Sequence, residues 1–114
     1  MSIFNITKNT IIAQKVKTAD TFFPRVIGLL GRSAIDYQEA LIIVPCQAIH
    51  MFFMKFPIDV IFLNRAGGII ALYPNLKPLR MTWIHLQATR AVECAWGTIE
   101  RWHLKKGEVL RIES

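Results

Sequence analysis

Short apolar runs alternate with polar turns along most of the chain, and in one stretch the period changes. Residues 3–6 and 11–16 are apolar runs rich in β-branched side chains, divided by Thr7, Lys8, Asn9 and Thr10. Polar turn residues between two such runs predict a β-hairpin. From Phe22 the apolar positions recur at spacings of three and four, through Phe23, Val26, Ile27 and Leu30, which puts them on one helical face. Thr18, Asp20 or Thr21 can cap the start, Pro24 fits a first turn, and Gly31 fits a left-handed stop. The pattern predicts a short helix over residues 20–30.

Beyond it the β signals dominate. Residues 40–44, 49–54 and 58–63 are compact apolar runs, the first ended by Pro45 and the others divided by Lys55, Phe56 and Pro57. Asn64, Arg65, Ala66, Gly67 and Gly68 form a strong turn signal, with 69–73 as the hairpin partner. Pro74, Asn75 and Pro78 break any period, so 74–87 reads as a long loop. A strand over 91–95, a short helix over 98–104 after Gly97 and a final strand over 109–112 complete the chain. Seven or eight strands joined by turns rather than helices predict a mainly β, mainly antiparallel fold. The expected architecture is a small antiparallel barrel or two-sheet sandwich with one short packed helix.

Composition adds limits. At 114 residues, 53% hydrophobic and 19% charged, the chain has the size and apolar content for a single domain, 1–114, with its own core, and not for disorder. The apolar stretch 40–63 is interrupted by Pro45, Gln47, His50, Lys55, Pro57 and Asp59, which excludes a membrane span. The opening residues lack a secretory signal pattern, so the expected location is cytoplasmic. Cys46 and Cys94 lie far apart without Cys-x-x-Cys spacing, which predicts two reduced thiols, with a single bridge left open. The net charge of +6 matters less than its distribution. Between Asp59 and Glu93 there is no acid, while Arg65, Lys77, Arg80 and Arg90 fall in that interval.

Candidate chemistry is sparse. There is no phosphate-cradling glycine loop, no His-Glu-x-x-His, no Gly-x-Ser-x-Gly and no dinucleotide fingerprint, and no cofactor is expected. Asp59 and Glu93 interrupt apolar strands, and a buried carboxylate needs compensating donors; Lys55, Arg80, Arg90 and the histidines are the candidates. If 49–54 is a strand, His50, Phe52 and Met54 share one face. Cys46, His50 and Cys94 with Asp59 or Glu93 have the chemistry of metal ligands, but core or rim positions outweigh that reading and no metal is expected. A cysteine nucleophile, Cys46 with His50 or Cys94 with His85, lacks an orienting third group. Tyr73, Lys77, Arg80, Trp83, His85 and Arg90 mix basic and aromatic side chains, which suits weak anion or nucleic-acid binding, although an ordinary solvated face outweighs it. A long loop on a β scaffold also suits a small ligand or protein partner, with the loop and the Asp59–Glu93 region lining one shallow pocket.

Several blocks together resemble a known family. Gly28-Leu29-Leu30-Gly31-Arg32, the 50–63 segment, Gly67-Gly68, Val92-Glu93 with Gly97, and Lys106-Gly107-Glu108 are similar, in order, to the bacterial and archaeal domain-of-unknown-function family 192 (DUF192). The resemblance implies a compact, mostly β fold with a short helix and no established activity. By the family's pattern Met54, Asp59 and Glu93 match recurrent positions and Phe53 an aromatic one. The chain departs from that pattern at Asn64, where an acid is frequent, at Glu108, where Asp is usual, and in lacking the signal peptide many relatives carry.

The resulting expectation is a non-catalytic accessory domain that binds a small ligand or a protein. Its site candidates are Met54, Asp59 and Glu93, joined by His50 and Arg80; Lys77, Arg80, Trp83, His85 and Arg90 are the anion-binding candidates. The alternative is a small hydrolase or lyase using Asp59 and Glu93 as acid and base.

Overall fold

The computed structural model describes residues 1–19, 34–51 and 54–113. The helix expected over 20–30 and the aromatic pair Phe52 and Phe53 lie outside the described residues. Eight strands and one short helix are found among the rest: β1 (Ser2–Asn5), β2 (Thr10–Ala13), β3 (Lys15–Ala19), β4 (Glu39–Ile43), β5 (Ile58–Leu63), β6 (Ile69–Leu76), β7 (Arg90–Ala95), α1 (Thr98–Arg101) and β8 (Leu110–Glu113). They form a three-stranded sheet, β2-β1-β8, and a five-stranded sheet, β3-β4-β7-β5-β6. The sheets pack as a sandwich. All the ladders are antiparallel except β3 with β4, which run parallel.

The larger sheet is apolar on both sides, and period-2 alternation sorts its residues between two cores. Ile61, Leu63, Val92, Cys94, Ala40 and Ile42 face the smaller sheet and meet Ile3, Ile12 and Leu110 there. Ile58, Val60, Phe62, Leu41, Ile43 and Ala91 face the other way and are covered by Cys46, Ile49, Met51, Phe56 and Ala88. Strand β5 lies between β6 and β7, so all six of its residues are buried; a strand covered on both faces is read from sequence as an unbroken apolar run.

Polar side chains fix the turns. The Asn5 Oδ1 accepts the amides of Thr7 (3.0 Å) and Lys8 (3.2 Å) in the β1–β2 hairpin. In the β5–β6 hairpin the Asn64 Oδ1 accepts those of Ala66 (3.1 Å) and Gly68 (2.8 Å). An aspartate would accept the same two bonds, so an acid in place of Asn64 would leave the turn unaltered. Gly67, at φ +90, lies so close to the last strand that an added Cβ would stand 2.3 Å from the Leu110 carbonyl oxygen; only glycine fits both demands. This turn is thereby stitched to the chain entering β8, and the two sheets are joined at one end.

Three sequence expectations are corrected. The run 11–16 is not one strand: β2 ends at Ala13, and β3 starts at Lys15 in the other sheet. Of the run 49–54, the described residues, 49–51 and 54, belong to no strand. His50 makes a single bridge to Met81, and the segment is apolar because Ile49 and Met51 cover the second core as irregular chain. The loop expected from residue 74 begins later. Strand β6 runs on to Leu76 through a register shift opposite Ile58 and Val60, with Asn75 at φ 52. Such a bulge, on an edge strand, is where a proline is tolerated.

Candidate functional site

The two acids that interrupt apolar strands have different fates. Asp59 is fully buried, on the face of β5 that looks to the smaller sheet. Its Oδ1 accepts the Asn75 amide at 2.8 Å and its Oδ2 the Ile99 amide at 2.8 Å. The first amide belongs to the β6 bulge and the second to the first turn of α1, where a carboxylate satisfies otherwise orphaned donors. For Asp59 the donors expected from Lys55, Arg80, Arg90 or a histidine are therefore backbone amides instead. They are invisible to a reading of side chains. Arg80 is exposed, in the loop beyond β6.

Glu93 is 8% exposed and pairs in register with Val60 and Leu41, both members of the second core. Among the described residues its carboxyl has no hydrogen-bond or ion-pair partner, and burial pushes its pKa up from 4.5 to about 7. Asp59 pairs with Cys94, which belongs to the first core. The two carboxyls thus open on opposite faces of one sheet. They do not form the juxtaposed pair that acid–base hydrolysis needs.

The cysteines are also separated by the sheet, Cys46 in the second core and Cys94 in the first, and neither is in a disulfide. Burial, reinforced by the charge of Asp59, drives the Cys94 thiol well above its usual range despite a hydrogen bond with Thr98; a thiol so held is a poor nucleophile. No cluster of three or more metal-ligating side chains is found among the described residues. Met54 is half-buried against the second core, and His50, bridged to Met81, is exposed.

The remaining candidates converge on residues 77–89. This loop is laced to the covering segment by backbone bonds: Leu79 N to Met51 O (3.0 Å), Met51 N to Arg80 O (2.8 Å), Thr82 N to Ile49 O (2.9 Å) and His85 N to Gln47 O (2.8 Å). The buried Thr82 hydroxyl accepts the Ile49 amide at 3.0 Å, and Gln47 Nε2 donates to Leu86 O at 2.9 Å. Tyr73 anchors the tip. Its hydroxyl accepts the Trp83 amide at 3.2 Å and lies 2.7 Å from His85 Nε2, with Phe62 packed against both rings. Tyr73 and His85 together fasten the loop to the core.

Held this way, the loop presents an apolar surface outward. Leu79, Met81, Trp83, Ile84 and Leu86 are each between 59% and 81% exposed, and they account for half of the large apolar side chains exposed among the described residues. Lys77 and Arg80 are exposed within the same loop, whereas Arg90 is half-buried at the start of β7. Sequence reasoning noted Trp83 and the cations but missed the four aliphatic members, because an apolar residue in a loop ordinarily reads as an anchor. A shallow groove of about 750 Å³ adjoins the root of the loop, lined by Pro45, Cys46, Gln47, Arg65, Ala88 and Thr89 among others. Neither Asp59 nor Glu93 lines it.

Comparisons with known proteins agree on the fold. The family model for DUF192, described as "Uncharacterized ACR", matches residues 3–112. A UPF0127 protein of Thermococcus sibiricus is 39% identical over 93% of this chain and 71% of its own length. Another, from Pyrococcus furiosus, is 32% identical over 95% of each chain. Among solved structures, a protein of unknown function from Novosphingobium aromaticivorans superposes with a TM-score of 0.82 at 17% identity, over 97% of this chain and 82% of that one. A putative transcription regulator from Sinorhizobium meliloti gives 0.80 at 18%, over 96% and 89%. At such identities the likeness to the solved structures concerns the fold alone.

Proposed function

The chain belongs to the DUF192 family, and from its own geometry we propose that it is a non-catalytic binding domain whose contact surface is the outer face of residues 77–89. One observation carries the reading: five large apolar side chains stand exposed on a loop whose backbone is tied down. Apolar patches of this kind mark interaction sites on folded domains, and a pre-ordered loop loses little entropy on binding. Trp83 and Arg80 are of the residue types that dominate binding energy. The dispersal of the acids and thiols over two cores favours binding over catalysis. A cytoplasmic location is part of the proposal, supported by two thiols that form no disulfide. Among the described residues no helix is long and apolar enough to cross a membrane.

The test is a photo-reactive side chain at Gln87, exposed at the edge of the patch, in cells of the native host. Adducts that disappear with Trp83→Ala/Leu86→Ala are expected. Absence of any loop-dependent adduct sinks the proposal.

A second reading, a small anionic ligand in the adjoining groove, draws on the placement of Arg65 there. Saturable binding of small carboxylates, lost in Arg65→Ala, would establish it.

A further inference from the structure

The chemistry of the loop narrows what it docks against. We propose that residues 77–89 bind the surface of an anionic lipid bilayer, a proposal that rests on the docking reading above and names its partner. Three observations favour lipid.

The first is the side-chain set. Leu79, Met81, Ile84 and Leu86 offer no polar group with which to register against a protein surface, and the remaining member, Trp83, is the residue type enriched at the membrane–water boundary. All five are exposed together on one loop.

The second is the backbone. A loop lying at the headgroup boundary must hold its shape there, where polar headgroups and water can still meet an amide without a partner. Here the amides of Leu79, Arg80, Thr82, Trp83, His85 and Ala88 are all bonded, to Met51, Lys77, Ile49, Tyr73, Gln47 and His85 respectively. The loop's frame therefore holds while its apolar side chains sink, and the amides of Met81, Ile84 and Leu86, unpaired among the described residues, stay at the level of the polar headgroups.

The third is charge. Lys77 and Arg80 stand exposed in the loop, and no acid occurs between Asp59 and Glu93 in a chain of net charge +6. Both of those acids are buried, so neither opposes the two cations at the surface. Basic residues beside exposed apolar ones suit an interface rich in anionic headgroups. The domain lies on the membrane and does not span it.

The experiment is co-flotation of the full chain with vesicles of phosphatidylcholine, with and without phosphatidylglycerol. Binding is expected to the mixed vesicles, weaker by about tenfold on phosphatidylcholine alone and reduced by salt. Trp83→Ala/Leu86→Ala should lower partitioning by about tenfold or more, and Lys77→Glu/Arg80→Glu should remove the preference for the anionic lipid, both with circular dichroism unchanged. No flotation, or flotation indifferent to these changes, overturns the lipid assignment. In that event, loop-dependent adducts from Gln87 to a protein, or to a second copy of the chain, leave the docking surface standing with a different occupant. Without such adducts both readings fall.

Discussion

Asp59 and Glu93 sit in neighbouring strands one residue out of step, Asp59 opposite Cys94 and Glu93 opposite Val60, and that single step places their carboxyls in different cores. The sheet between them isolates two electrostatic problems that one sequence reading had treated as a pair. Their solutions are opposite: one acid is ringed by amide donors, the other has none among the described residues.

Replacing Asp59 should be costly. In Asp59→Asn the side-chain amide turns an N–H toward either the Asn75 or the Ile99 backbone N–H, so a buried donor loses its acceptor. A loss of about 2–4 kcal/mol is expected, read as a lower urea midpoint at unchanged slope. An Asp59→Asn protein as stable as the parent would deny the carboxylate its role in fastening α1 to the bulge.

Glu93 should set a pH dependence. Its pKa is raised in the folded state from 4.5 to about 7, so between these values the folded chain holds a proton that the unfolded chain has released. By linkage, stability is greatest below about pH 4.5 on this account and falls as pH rises through 7. The difference is about 3 kcal/mol at most. Glu93→Gln should be the more stable form at pH 8 and match the parent near pH 4.5. Equal stability of the two at pH 8 would show that Glu93 is not buried as described.

Glu108 should act with the opposite sign. Burial alone would raise its pKa, but hydrogen bonds from Lys8, the Lys105 amide and Asn5 outweigh burial and bring it below 4.5. Its stabilisation is present above the unfolded value and lost as pH falls through the folded one. Glu108→Gln should flatten the acid limb of the stability profile and leave the neutral limb, where Glu93 acts, with its slope. An acid limb as steep as the parent's would argue against this role.

The loop should separate surface from scaffold. Trp83→Ser and Leu86→Ser remove exposed side chains and should change stability by no more than about 0.5 kcal/mol. Thr82→Val leaves the Ile49 amide without its acceptor and should cost about 1–2 kcal/mol. Thermal or urea unfolding of the three variants checks this; a large loss in the serine variants would mean that the apolar side chains support the fold.

Tyr73→Phe tests the fastening at the loop's tip. Without the hydroxyl the Trp83 amide has no acceptor, and hydrogen exchange should accelerate there and at neighbouring loop amides while β5 and β7 keep their protection. Unchanged exchange at Trp83 would assign the loop's order to its bonds with residues 47–51 alone.

Local chemistry made much of the framework legible. Polar turn residues marked the β1–β2 and β5–β6 hairpins, and β5 was readable as an apolar run because it is buried on both faces. The misreadings occurred where tertiary packing overrode local pattern. Ile49 and Met51 are apolar because they cover a core, not because they belong to a sheet. Gln14 breaks an apolar run at the point where the chain changes sheets, and no residue type signals such a change. Pro74 suggested a loop, yet an edge strand with a bulge accommodates it. For the site, the need of Asp59 and Glu93 for explanation was visible, but their faces depended on register. The exposure of Leu79, Met81, Ile84 and Leu86 depended on how the loop is tied, which composition does not record.

Strand β1 is the middle strand of the smaller sheet, bonded to β2 beside it in sequence and to β8, which follows all five strands of the larger sheet. While the protein is being made, the β1–β2 hairpin must therefore wait with one edge bare until every strand of the larger sheet has left the ribosome. Only when β8 arrives can Leu110 close the space above Ile3. Ribosome stalling or termination after β7 but before β8 would release a chain with its larger sheet formed and an open strand edge, a template for aggregation, which gives a few codons of β8 a weight out of proportion to their number.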